Sequence, residues 1–265
     1  MRRAMRLWDH PFSPYSQKVR IALREKWLEF VREIPDGIAS GADLGYSARN
    51  PRLEVPALEV GDQIIFDSTI IIEYLEDSFP EVPLRAPDPM QRARARMVED
   101  VCDTHYEAIN WGLGEIRFFG RGNEIAGKLR ANAGAEISAI QSWLEVQLSP
   151  SGWFNGDAFG QGDVAAVPFV AMSQILGFSP QPESRLNGWL ERVMQRPAVA
   201  QTMGEAAKAA AGMDRHSQLL EAGNFRRQFR DHRLEWLLRS GGMAVLIEGM
   251  AKRTVRFNDL ELFRQ

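Results

Sequence analysis

At 265 residues, with an apolar fraction of 45%, the chain is long enough for two compact domains and can bury a sizeable core. Net charge is −3, from 32 basic and 35 acidic side chains, which argues against a dedicated nucleic-acid binder. The single cysteine, Cys102, excludes an internal disulfide and suits a reducing, cytoplasmic setting.

The basic start MRRAMRLWDH has no apolar run behind it and does not read as a secretory signal. No stretch approaches the roughly 18 apolar residues of a membrane span. The longest, GGMAVLIEGMA, carries Glu248 and reads as a buried helix segment. Met5 to Asp9 reads as a strand. Ser13 is a good N-cap for a helix with Pro14 at its first position, and Tyr15, Val19, Ala22 and Leu23 follow at helical spacing. Leu28 to Ile34 reads as a second strand, and the Gly-rich segment after it has room for a short helix over Ala42 to Arg49. Ala57 to Val60 and Gln63 to Phe66 form a hairpin around Gly61-Asp62, after which Ser68 caps a helix reaching Phe79.

Four prolines (Pro80, Pro83, Pro87 and Pro89) mark a linker. Beyond it the pattern is helical over Gln91 to Phe119, Glu124 to Leu148, Asp163 to Leu176, Glu183 to Arg196 and Ala198 to Ala211. The domain plan is therefore 1–80, a linker over 81–90, a helical domain over 91–211 and an extension over 212–265. In the extension, NFRRQFRDHRLEWLLRS reads as a basic amphipathic helix with Phe225, Phe229, His232 and Trp236 along one stripe; its placement is open, with packing on its own domain as the default and a lid over the cleft, an extended dimer interface or polyanion binding as alternatives. Arg226, Arg227, Arg230 and Arg233 form its basic side. KRTVRFND reads as a short strand or an extended tail.

HPFSPYSQKVRIAL, NPRLEVPALEVGDQIIFDSTIIIEYLEDSFP, GDAFGQGDVAAVPFV and QRPAVAQ occur in that order. Together they resemble the soluble glutathione transferase superfamily over roughly residues 5–211. Of the four, the hairpin segment is the most specific. The resemblance implies an α/β plus all-α fold: a thioredoxin-like N-terminal domain, then an all-helical domain. It also implies glutathione as co-substrate, a small apolar electrophile as the other substrate, and a homodimer. Nucleic-acid, membrane and metal partners are not expected, since no His, Cys and carboxylate cluster has ligand spacing.

With two more sulfurs Ser13-Pro14-Tyr15-Ser16 would be the redox motif Cys-Pro-Tyr-Cys. As it stands, thiol–disulfide chemistry through Ser13 is excluded, but stabilising a bound thiolate is not. A free thiol titrates at about 8.5, and a hydroxyl donor at a helix N-terminus favours its anion. By resemblance Ser13 is the catalytic residue and Ser16 its rival. The resemblance makes Val55-Pro56 a cis bond that turns the Val55 backbone to the ligand. Asp67 is then set to pair with the γ-glutamyl ammonium, and Ser68 and its helix start hold the carboxylate. His10, Tyr15, His105, Tyr106 and Ile109 are candidates for the second-substrate pocket, with Val98, Cys102, His105 and Ile109 sharing a helix face.

Three residues depart from the family pattern. Glu54 stands where a neutral or basic residue is usual and would repel a glycyl carboxylate. Trp27 replaces a glycine, so the first helix is expected to end differently. Gly160 replaces a capping Ser or Thr, while Asp163 keeps its place. Two rival readings accompany transferase chemistry. One is a non-catalytic binding or regulatory module. The other is a different glutathione-dependent reaction: dehalogenation, isomerisation or ether cleavage.

Overall fold

The computed structural model describes residues 4–35, 46, 49–211, 231–255 and 263. Strands β1 (Met5–Trp8), β2 (Val31–Glu33), β3 (Ala57–Val60) and β4 (Gln63–Phe66) form one mixed sheet in the order β2-β1-β3-β4. β2 runs parallel to β1, which requires a crossover, and helix α1 (Pro14–Glu25) supplies it. The β3–β4 hairpin turns at Gly61, whose φ of 65° is the left-handed conformation that glycine takes freely. Helix α2 (Ser68–Ser78) then packs beside α1. Most of the expected helix over Ala42 to Arg49 lies outside the described residues; Tyr46 and Arg49 themselves are helical.

The helical domain contains α3 (Pro89–Val101), a π turn (Cys102–Tyr106), α4 (Glu107–Arg117), α5 (Ala126–Gln147), α6 (Gln161–Ile175), α7 (Arg185–Met194) and α8 (Pro197–Ala211). The fold is a thioredoxin-like domain followed by an all-helical one. α6 is the central post: nearly all its residues are buried, and α1, α3, α7 and the π turn pack around it. Its N-terminus is held by Asp163, which accepts from Gly160 N at 2.9 Å, Phe154 N at 3.0 Å and the Trp189 indole at 2.8 Å. Burial pushes the Asp163 carboxyl up to about 6 despite these three donors.

One expectation about departures is corrected, and a second departure gains its physical reason. α1 ends as a glycine-bearing helix would: Leu28 N reaches Leu23 O across five residues, and Trp27 itself takes φ 55°. Its indole escapes the crowding by pointing into solvent, 82% exposed. At Gly160 a side chain has no room: a Cβ would lie 2.1 Å from the Asn155 amide and 2.3 Å from the Leu84 carbonyl. The cap serine is therefore excluded by close packing of the linker on the α6 start.

The extension also differs from expectation. α9 (His232–Arg239) and α10 (Met243–Ala251) are described, and Gly249 is their one buried residue. The GGMAVLIEGMA segment is helical but not buried: Val245 is 63% exposed, and Ile247 and Met250 are exposed too. Trp236 is 62% exposed rather than packed on its domain. Phe225, Phe229, Arg226, Arg227 and Arg230 lie outside the described residues. Lys252 to Val255, the described part of KRTVRFND, form no strand.

The two domains meet through buried ions. Lys18 of α1 is wholly buried, with Nζ 2.8 Å from Glu99 of α3 and 2.6 Å from Asp103 of the π turn. Below it, Glu205 of α8 accepts from Arg20 and Arg24 at 2.6 Å and from Arg32 at 2.9 Å. Breaking a buried pair from one side strands the other charge. Lys18→Met is therefore expected to cost about 3 kcal/mol or more of unfolding free energy, read from urea titrations; a loss below about 1 kcal/mol would show that this ammonium does not hold the domains.

Candidate functional site

Sheet register brings the site together. Trp8 lies opposite Ala57, and Ala57 opposite Phe66. The loop leaving β1, the residues entering β3 and those leaving β4 therefore emerge at one end of the sheet. On them sit Ser13, Val55-Pro56 and Asp67-Ser68.

Ser13 is the N-cap of α1, its hydroxyl oxygen accepting from Ser16 N at 3.3 Å. Accepting leaves the hydroxyl proton available to a ligand, and the side chain is half-buried rather than sealed. The loop beneath is pinned at the Pro11 carbonyl by Gln17 at 3.1 Å and Arg20 at 2.8 Å. Ser16 is fully buried, and its hydroxyl has no protein partner.

The Val55–Pro56 bond is cis. Its approach is built by Asn50, wholly buried, which donates to the Glu54 carbonyl at 2.9 Å while accepting from Arg52 N at 3.1 Å. The Tyr46 hydroxyl donates to the same carbonyl at 2.5 Å. Asp67, rather than Ser68, is the N-cap of α2: one carboxylate oxygen accepts from Thr69 N at 3.0 Å and Ile70 N at 3.3 Å. Asp67 takes φ 77°, a conformation a non-glycine residue holds only when its surroundings impose it. Ser68 is buried in the first turn.

Glu54 and Asp67 share one cation. Arg52 Nη2 lies 2.7 Å from Glu54 Oε2, Nη1 lies 3.8 Å from Asp67 Oδ2, and the guanidinium stands 5.8 Å over the Phe66 ring.

The helical domain closes the site from the other side. The Tyr15 hydroxyl donates to the Asp103 carbonyl at 2.8 Å, and Thr69 Oγ1 to Glu99 Oε1 at 2.8 Å. Phe12, next to Ser13, meets Phe118 edge-on at 5.0 Å. His10 Nδ1 accepts from Phe12 N at 3.3 Å, so this side chain braces the loop.

The shared face expected for Val98, Cys102, His105 and Ile109 is broken by the π turn. Its extra residue stretches the buried stripe to Val98, Cys102, Tyr106 and Asn110, a spacing of four. Tyr106 is consequently core, its hydroxyl accepting from Gln141 at 3.0 Å, and does not line an open pocket. The His105 ring and that of Trp143 meet Phe263 at 5.5 and 5.7 Å. Ile109 is half-buried against the helical core. Of the five pocket candidates, His10 and Tyr15 lie on the Ser13 loop and first turn.

Among the described residues no group of three or more His, Cys, Asp or Glu could hold a metal ion, and no helix is long and apolar enough to cross a membrane. A polar groove of about 260 Å³ lies between α2 and α3, lined by Glu73, Arg85, Arg92, Arg96 and Gln161.

Sequence reading missed Asn50, Arg52, Lys18, Asp103, Phe12 and Phe118. A lysine within an amphipathic helix reads as solvated, and the one hint was the four-residue spacing of Glu99 and Asp103, which puts two carboxylates on one helix flank.

A helix-capping hydroxyl, a cis-proline corner and an acidic helix start thus lie together at one sheet end of a thioredoxin-like domain. Family models agree: the glutathione S-transferase N-terminal domain matches residues 7–83 and the C-terminal domain residues 116–197. The chain is 31% identical over 204 residues to maleylacetoacetate isomerase of Pseudomonas aeruginosa, spanning 74% of this chain and 94% of the relative. Glutathione S-transferase GstB of Escherichia coli is 29% identical over 200 residues, 73% and 94% of the two chains. A rice transferase, solved in complex with glutathione, superposes with a TM-score of 0.68 at 27% identity, covering 82% of this chain and 98% of that one. The chain belongs to the glutathione S-transferase family. Residues 212–265 lie beyond both matched domains.

Burial raises the Asp103 carboxyl to about 6; Lys18 opposes this, and Glu99 and Asp67 add to it. A carboxyl raised on folding holds its proton more tightly in the folded chain. Its contribution is complete below the unfolded pKa of about 4 and lost as pH rises through about 6. Asp103→Asn, which mimics the protonated form, should therefore gain stability relative to wild type between about pH 4 and about pH 7 in paired urea titrations; a pH-independent difference would overturn this assignment.

Proposed function

We propose that the chain is a glutathione-dependent transferase, in which the Ser13 hydroxyl and the N-terminus of α1 stabilise the thiolate that attacks an apolar electrophile. The observation carrying this reading is the position of Ser13: a half-buried cap whose oxygen accepts from its own helix and whose proton is left to donate. Two α-helix starts converge there, each adding partial positive charge. The peptide would lie extended along Val55. Its ammonium would meet the uncapped oxygen of Asp67, and its carboxylate the first-turn N–H groups and hydroxyl of Ser68. Backbone strain at Asp67 supports a binding role. Phe12, Tyr15 and Phe118 would supply the apolar wall for the electrophile.

The chemistry this site performs is thiolate attack at an electrophilic carbon. Dehalogenation, ether cleavage and the isomerisation named for the Pseudomonas relative would use the same thiolate and differ in the electrophile. A second reading, a binding module without turnover, draws support from the uncovered apolar side chains of α9 and α10.

Ser13→Ala is expected to keep glutathione affinity, lose the ultraviolet absorbance of bound thiolate, and lower turnover of a general electrophile about 100-fold, with Ser16→Ala leaving the absorbance in place. Asp67→Asn keeps a good cap and should weaken binding while the fold survives. Loss of the thiolate signal in Ser16→Ala alone would move the role to Ser16. No thermal shift of wild type with glutathione would favour the binding module.

We further propose a homodimer through the face where α2 and α3 expose Ile70, Met90 and Met97 beside the Arg96–Glu73 ion pair. Apolar side chains on adjoining helices of both domains suit an isologous contact. Ile70→Asp with Met97→Glu should yield monomers in light scattering; an unchanged mass would place the contact elsewhere.

A further inference from the structure

Helices α9 and α10 are joined by a tight turn, with Gly241 at φ 75° and Gly242 N donating to the Leu237 carbonyl at 2.7 Å. α10 already has an inner side. Gly249 is buried because the chain doubles back over it: Thr254 N donates to the Gly249 carbonyl at 2.8 Å, and a Cβ at Gly249 would lie 2.5 Å from Val255 Cγ2. A second side of α10 is apolar and faces water. Met243, Ile247 and Met250 recur at i, i+4 and i+7, which is one helix face, and all three are exposed. Val245 beside them is exposed, as are Trp236 and Leu238 on α9. Large apolar side chains gathered in this way on a surface mark a place where something binds.

The charge of this region says what that is. From Phe225 to Arg256 the sequence holds eight basic and three acidic side chains, in a chain whose net charge is −3. The acids are engaged within the helices themselves. Asp231 caps α9, accepting from Leu234 N at 3.0 Å. Glu235 lies 3.8 Å from His232 and 3.5 Å from Arg239, and Glu248 pairs with Lys252. The complementary surface is therefore anionic, and it must also accept apolar side chains. A nucleic acid would meet the cations and leave the apolar face wet. A second copy of these helices would bring like charges together.

We propose that α9 and α10 bind the surface of a lipid bilayer carrying anionic headgroups. Met243, Ile247 and Met250 enter the boundary between headgroups and acyl chains, Trp236 lies at headgroup level, and the basic side chains meet lipid phosphates. At about 1.5 Å per residue α10 is about 14 Å long, under half of the roughly 30 Å of hydrocarbon, so it lies on the membrane and does not cross it. Composition gives no sign of a membrane partner; the exposure of these two helices supplies one. The inference uses neither Ser13 nor the cis-proline corner and stands apart from the transferase reading.

The test floats the full chain with vesicles of phosphatidylcholine alone and of equal parts phosphatidylcholine and phosphatidylglycerol. Wild type should bind the anionic vesicles at least about tenfold more strongly than the neutral ones, and high salt should remove most of that advantage. Ile247→Glu with Met250→Glu alters only exposed positions and should abolish flotation while the thermal midpoint is kept. No flotation of wild type with anionic vesicles, or unchanged flotation of the folded double variant, overturns the inference. Wild type that binds soluble poly-glutamate but not vesicles overturns it in favour of an acidic protein. Without vesicle binding, a mass in light scattering that halves in the double variant overturns it in favour of a second copy. Wild type alone can decide against the proposal, so the folding of the variant is not required.

Discussion

The Lys18 ammonium is the point on which the arrangement of the site depends. It has no exposure to water and lies between two carboxylates of the helical domain. Such a charge is tolerable only where fixed partners replace its hydration. Burial pulls the lysine toward neutrality, but Asp103 and Glu99 outweigh that and raise its pKa. Burial likewise pushes the Glu99 carboxyl up, while Lys18 and Arg96 hold it below its ordinary value. The burden of three crowded charges falls on Asp103, which goes up.

That cluster also sets the site's dimensions. Lys18 sits little more than a turn beyond Ser13, and the Tyr15 hydroxyl, between them, holds the Asp103 carbonyl. Thr69, in the first turn of α2, donates to Glu99. Both helix starts that face the proposed ligand are thus tied to one short piece of the helical domain. The π turn is the element that makes this possible: by inserting a residue it aims Asp103 at α1 while returning Tyr106 to the core. Elements on different domains are held in register by four polar contacts, two from Lys18 and one each from Tyr15 and Thr69, rather than by loop stiffness.

Much of this is legible in the chain, and the limits have physical causes. The hairpin at Gly61-Asp62 and the Ser13-Pro14 helix start follow from local turn and capping chemistry, so sequence and structure agree to the residue. The pocket residues around the π turn escape sequence reading because a 3.6-residue period does not carry through a segment that winds with an extra residue. Lys18 and Glu99 are invisible for a different reason: a buried ion pair is a tertiary event, and each residue alone looks like solvated surface. The exposed helix α10 reads as buried because composition reports what a segment could cover, not whether anything lies against it.

The three departures from the family pattern separate along the same line. At Trp27 the backbone keeps the left-handed turn and the side chain moves to solvent, so the change is absorbed locally. At Gly160 the Leu84 carbonyl and Asn155 amide have closed on the missing Cβ, and the Gln161 N–H takes up the Leu84 carbonyl at 2.7 Å. Both are scaffold positions, and packing offsets each one. Glu54 is not a scaffold position: its side chain is paired with Arg52, and its carbonyl already takes part in shaping the cis-proline corner. Arg52 is itself drawn toward Asp67. The altered side chain at Glu54 is thus met by a neighbouring guanidinium rather than by packing, which sets it apart from Trp27 and Gly160.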